Sequence, residues 1–211
     1  MSELHQSLAR LPLVAILRGL RPDEALGIGG ALLDAGFHAL EVPLNSPEPF
    51  ESIAILAEDL GARALIGAGT VLRPADVERV AKAGGRLVVM PHGDPSVIRE
   101  AKRRGLFCVP GVATPTEAFA ALDAGADALK LFPAEMLPPA VVKAWRAVVP
   151  KDVWVMPVGG ITPETMAPYL AAGANGFGLG SALYRAGMDR ATVSANAVRF
   201  VQAFGAARLA C

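Results

Sequence analysis

The chain has little of what several function classes require. Only two cysteines occur in 211 residues, Cys108 and Cys211, and they share no repeated spacing. That excludes a disulfide framework and points to a reduced, cytoplasmic protein. The three histidines, His5, His38 and His92, lie far apart and lack metal-ligand spacing, so no metal site is expected. Lys plus Arg and Asp plus Glu both number 20, so there is no excess charge to attract nucleic acid or an acidic membrane. No run reaches the roughly 20 apolar residues of a membrane span. "LPLVAIL" (11–17) could imitate a signal core, but it runs into "RGLRPDEA" with no small-residue cleavage site. No linker-like stretch divides the chain, which reads as one domain, 1–211.

What is present is apolar and repetitive. Hydrophobic residues make up 53% and charged residues 19%, the balance of a globular chain. One plan recurs in "DAGFHALEVPLN" (34–45), "KAGGRLVVMPHG" (82–93), "RRGLFCVPG" (103–111), "DAGADALKLFPAE" (123–135) and "AAGANGFGLGS" (171–181). A helix-like segment ends at a glycine, and a short β-rich run follows. The glycine supplies a left-handed helix cap. The apolar run reads as a strand buried on both faces, as in a parallel sheet. "LVAILRG", "LIGAGTV" and "VWVMPVGGI" complete the set.

Eight strands are thus expected, starting near 13, 39, 65, 87, 107, 128, 153 and 176. Amphipathic segments at 22–35, 47–60, 74–84, 95–104, 115–124, 138–148, 163–172 and 189–206 follow them. Helix-start signals such as "RPDEA", "RPADVE" and "TPTEAF" place proline near the first turn. Eight β-then-α units predict an α/β (β/α)8 TIM barrel. The leucine-rich solenoid pattern is absent, and an open doubly wound sheet fits eight units less well.

Barrel sites lie at the C-terminal strand ends. Side chains alternate along a strand, so Leu129 and Leu131 facing the helices turn Lys130 inward. The same alternation turns Glu41 inward. Lys82, Lys102, Lys143 and Lys151 read as solvated surface charges, whereas Lys130 lies within an apolar strand. A purely structural Lys130–Glu41 salt bridge would be a costly route to stability. A desolvated amine, with Arg18 nearby, is instead a nucleophile for a carbonyl, and Glu41 is placed to move protons. Arg18 and Thr70 end the first and third strands. "VGGIT" (158–162) and "GLGS" (178–181) end the seventh and eighth, where barrels frequently bind phosphate. The glycines could equally serve tight turns or close packing.

"AILRG", "EVPLNSP", "IGAGTV", "PGVATPTEA", "ALKLFPAE", "VGGITPE" and "GLGSALYRAG" together resemble the 2-keto-3-deoxy-6-phosphogluconate/6-phosphogalactonate aldolase family, in order, over about residues 11–204. The resemblance implies a class I aldolase on a (β/α)8 barrel, typically a homotrimer. Such an enzyme cleaves a 2-keto-3-deoxy-6-phospho sugar acid to pyruvate and glyceraldehyde 3-phosphate without metal or organic cofactor. Carried over by motif, Lys130 is the Schiff-base residue and Glu41 the acid–base. Arg18 and Thr70 hold the pyruvate end, and Gly159, Gly160, Gly180 and Ser181 cradle phosphate. Phosphogluconate enzymes usually read "EVTLRT" and "PTGG". Here "EVPLNS" and "PVGG" put Asn45 in place of an arginine and Val158 in place of a threonine, matching the phosphogalactonate pattern. Met90 and His92 depart from the usual fourth strand, and His92 reads as a rim histidine. Rival readings are a phosphate-binding barrel isomerase or synthase in which Lys130 is only electrostatic, and a non-catalytic binder of sugar phosphates.

Overall fold

A computed structural model describes residues 8–209; His5 and Cys211 lie outside them. The strands are β1 (Leu13–Ile16), β2 (Ala39–Pro43), β3 (Leu65–Gly69), β4 (Leu87–Val89), β5 (Phe107–Val109), β6 (Gly111–Val112), β7 (Ala128–Leu131), β8 (Trp154–Pro157) and β9 (Phe177–Leu179). The helices are α1 (Pro22–Asp34), α2 (Pro49–Leu60), α3 (Pro74–Lys82), α4 (Pro95–Arg103), α5 (Pro115–Asp123), α6 (Pro139–Trp145), α7 (Met166–Ala171) and α8 (Arg190–Leu209). None is long and apolar enough to cross a membrane.

The helix-start signals act as read. Each of α1 to α6 opens on a proline, whose missing N–H costs nothing in the first turn. At α5, Thr114 Oγ1 accepts from the Glu117 N–H and Glu117 Oε2 accepts from the Thr114 N–H, a reciprocal cap. The glycine stops also hold. Gly36 takes φ +99° after α1, and the Phe37 N–H then reaches back to the Leu32 carbonyl at 3.0 Å, the bond pattern of a left-handed helix cap. Two segments differ from expectation. Residues 163–172 divide into a 3-10 turn, Pro163–Thr165, and α7, because Pro168 has no N–H for the Glu164 carbonyl. α2 starts at Pro49, after Glu48 turns through φ +41°.

All strand pairs are parallel. One sheet runs β5-β4-β3-β2-β1-β9 and a second runs β6-β7-β8. The expected fifth strand is split into β5 and β6 by Pro110, which lacks a donor for the ladder. Between the sheets, the Asp127 N–H donates to the Cys108 carbonyl and the Lys130 N–H to that of Pro110, both at 2.9 Å. An isolated parallel bridge joins Val158 to Gly178. The fold is thus α/β with parallel sheets curved into at least a half-barrel.

Alternation along the strands sorts the core into two clusters. Leu13, Ala15, Leu40, Val42, Leu129 and Leu131 pack under the helices. Val14, Ala39, Leu65, Leu87, Val89, Val109, Ala128 and Met156 pack on the opposite face with Leu8, drawing on both sheets. Lys130 and Glu41 share that second face, as their sequence positions require. Lys102 corrects the surface-lysine reading. Its Nζ lies 2.6 Å from Asp127 Oδ2, and the same oxygen accepts the Cys108 N–H at 2.8 Å. It buttresses the entry to β7, whereas Lys82, Lys143 and Lys151 are exposed.

Candidate active site

The C-terminal strand ends open into a cavity of about 470 Å3. Arg18, Thr70, Lys130, Val158, Gly159, Gly160, Gly180 and Ser181 all line it, so eight of the nine residues expected at the site converge. They come from the ends of β1, β3, β7, β8 and β9.

The ninth, Glu41, lies deeper. It borders a small void of about 20 Å3 together with Lys130 and otherwise apolar groups, among them Leu8, Val14, Leu87, Val109 and Met156. Lys130 lines both spaces, as do Ile16 and Val158. Glu41 is 2% exposed and Lys130 7%. Glu41 Oε2 is buried with no hydrogen-bond partner among the described residues. The carboxylate lies against Gly69, where a Cβ would collide with it.

Burial decides the charges. It pushes the Glu41 carboxyl up to about 7, against the opposing pull of Lys130 and Arg18. It also lowers the Lys130 ammonium, assisted by Arg18 and opposed by Glu41. Both groups shift toward neutrality, because desolvation outweighs their attraction. A stabilising salt bridge would shift both the other way. Lys130 Nζ sits 4.6 Å from the Phe132 ring centroid.

At the mouth, Arg18 Nη1 donates to Asn45 Oδ1 at 2.5 Å and Nη2 to Thr70 Oγ1 at 3.4 Å. Asn45 therefore aims Arg18. Thr70 takes φ +55°, a strained conformation for a β-branched residue. The glycines divide by reason. Gly159 and Gly160 take φ +111° and +60°, which accounts for them as a turn whatever binds there. Gly180 has no positive φ, and a Cβ on it would meet nothing within 4 Å. Neither turn geometry nor packing demands glycine at that position.

Sequence reasoning missed Glu135, Thr162, Tyr184 and Arg185, which also line the cavity. Glu135 and Arg185 were visible inside "KLFPAE" and "ALYRAG", but nothing in their spacing marked them. Met90 is buried against Cys108, sulfur to sulfur at 3.7 Å, in the helix-facing core. His92 is exposed and does not line the cavity. The Cys108 thiol is pushed up to about 12, by burial first and Asp127 second. No cluster of three or more His, Cys, Asp or Glu able to hold a metal occurs among the described residues.

The family model for KDPG and KHG aldolases matches residues 4–198. The chain belongs to that family. This aldolase is 51% identical to the 2-dehydro-3-deoxy-6-phosphogalactonate aldolase of Escherichia coli (strain K12) over 195 residues, 92% of this chain and 95% of the relative. Among solved structures, one described as native KDPGal superposes with a TM-score of 0.93 at 50% identity, covering 95% of this chain and 97% of that one. A KDPG aldolase from Legionella pneumophila, captured with pyruvate as a covalent carbinolamine intermediate, superposes at 0.81 with 26% identity over 98% of each chain. Membership of that family makes this chain a carbon–carbon lyase.

Proposed function

We propose that this aldolase cleaves 2-dehydro-3-deoxy-6-phosphogalactonate to pyruvate and glyceraldehyde 3-phosphate through a Schiff base on Lys130. The observation that carries the reading is a buried lysine at the floor of the cavity, its ammonium lowered by desolvation, lining the same small void as a carboxyl that burial raises to about 7. The covalent pyruvate carbinolamine of the Legionella relative supports it.

The Lys130 amine attacks the C2 carbonyl, and the carbinolamine loses water to give the imine. Glu41 takes the proton of the C4 hydroxyl, and the C3–C4 bond breaks with its electron pair passing into the iminium. Glyceraldehyde 3-phosphate leaves, the enamine takes a proton at C3, and water releases pyruvate. The void beside Glu41 has room for about one water molecule to relay these protons. Arg18, held by Asn45 and Thr70, takes the pyruvate carboxylate. Gly180 and Ser181, with the β8 loop Gly159–Gly160, take the phosphate.

The two sheets close in this reading as a single-domain (β/α)8 barrel, β5 and β6 acting as one interrupted strand. The active assembly is a homotrimer. Val158 and Asn45 favour the galactonate epimer over the gluconate one. Incubation with pyruvate and borohydride tests the chemistry. A reduced pyruvate adduct mapped to Lys130 by mass spectrometry is expected, and an unmodified Lys130 sinks the mechanism. Lys130→Met should fold yet lose retro-aldol turnover.

A further inference from the structure

Glu135 is a cavity-lining acid with no part in the mechanism above. It follows β7 by a few residues, in the 3-10 turn Ala134–Met136. That turn is anchored on both sides. The Ala134 N–H donates to the Val158 carbonyl at 2.8 Å, and the Tyr169 hydroxyl donates to the Ala134 carbonyl at 3.0 Å. The anchors hold the Glu135 side chain on the glycine turn after β8. A Cβ added to Gly159 would collide with its carboxylate, and one on Gly160 would stand 3.1 Å from its Cγ and 3.2 Å from Oε1. The carboxylate forms no hydrogen bond or ion pair with any described residue. Glu135 is exposed and lines the cavity, so its carboxylate is open to a ligand there.

The position selects what that ligand group is. Lys130 sits in β7 and Glu135 in the turn that follows it, and both line the cavity together with the loops after β8 and β9. A carboxylate repels a phosphate dianion and accepts from a hydroxyl. Resting on the reading above, we infer that Glu135 is a specificity residue that accepts a hydrogen bond from the substrate hydroxyl at C5, next to the phosphate-bearing carbon. In the synthetic direction that hydroxyl is the 2-hydroxyl of glyceraldehyde 3-phosphate.

The test compares two aldehydes condensed with pyruvate: glyceraldehyde 3-phosphate and 3-oxopropyl phosphate, which lacks only that hydroxyl. Wild type prefers the hydroxylated aldehyde in kcat/KM. In Glu135→Ala the preference falls roughly 10-fold, as loss of a hydrogen bond to a charged acceptor requires. Glu135→Gln keeps an acceptor and retains most of it. An unchanged preference in Glu135→Ala, whether both rates fall together or neither moves, overturns the inference, as does a preference that rises. Failure of the underlying reading is seen separately, as absence of a borohydride-trapped pyruvate adduct in the wild-type enzyme.

Discussion

The Glu41 carboxylate rests on the bare Cα of Gly69, in the space a side chain would fill. The two residues sit on adjacent strands, with Glu41 paired to Gly67 in the β2–β3 register. Gly69 has no positive φ, so alanine fits its backbone, and the three atoms nearest the added methyl all belong to Glu41. Gly69→Ala should displace the carboxyl and lower kcat on the order of 100-fold, the scale of a lost general acid–base. Overpacking should also cost about 1–3 kcal/mol of stability. The pyruvate–borohydride adduct on Lys130 should still form, because Lys130 arrives from β7. A kcat within threefold of wild type would show that the contact does not position Glu41.

The pH dependence of stability carries a sign. Glu41 is raised from 4.5 to about 7. Between those values the folded state holds a proton that the unfolded state has released. Stability therefore declines as pH rises through that window, by on the order of 3 kcal/mol, and levels off above it. Lys130 is lowered, so its burial penalty is fully present below its folded value and disappears as pH rises toward the unfolded value of 10.5. Urea titrations of wild type and Glu41→Gln from pH 5 to 8 isolate the first effect. The difference between the two curves should slope only below about 7; parallel curves would refute the raised carboxyl.

Val158 lines the cavity beside the glycine turn. Val158→Thr restores a hydroxyl of nearly the same volume. It should move the kcat/KM ratio toward the gluconate epimer by roughly 2- to 10-fold, the worth of one hydrogen bond. A wild-type enzyme already favouring the gluconate epimer would overturn the assignment of Val158 and Asn45.

Lys102→Met removes the partner 2.6 Å from Asp127. The pair is partly exposed, 32% and 17%, so solvent screening limits the loss to about 1–2 kcal/mol in urea denaturation. Asp127 lies at the start of β7, away from the cavity, and kcat should stay near wild type. A large fall in kcat would mean that this pair sets the position of Lys130.

Legibility differed between elements for physical reasons. Helix starts were readable because proline and the Thr114–Glu117 cap act within four residues. Helix ends were readable because a glycine such as Gly36 is needed where φ turns positive. The division of the fifth strand at Pro110 was harder, since a missing N–H matters only once its partner strand is known. Lys102 was misread because its partner, Asp127, lies 25 residues away. Glu135 escaped notice because its approach to Gly159 and Gly160 depends on how the exits of β7 and β8 sit together.

From its sequence alone, this chain determined the β-then-α repeat, the inward face of each strand and the one lysine inside an apolar run. Those features follow from periodicity and local backbone preference, which act between residues close in the chain. Tertiary structure decided the rest. It set Glu41 and Lys130 along one small, largely apolar void, aimed Arg18 through Asn45, strained Thr70 and pressed Glu135 onto the β8 turn. The protonation of Lys130 and Glu41 belongs to that second group, because desolvation sums over neighbours drawn from nearly every strand.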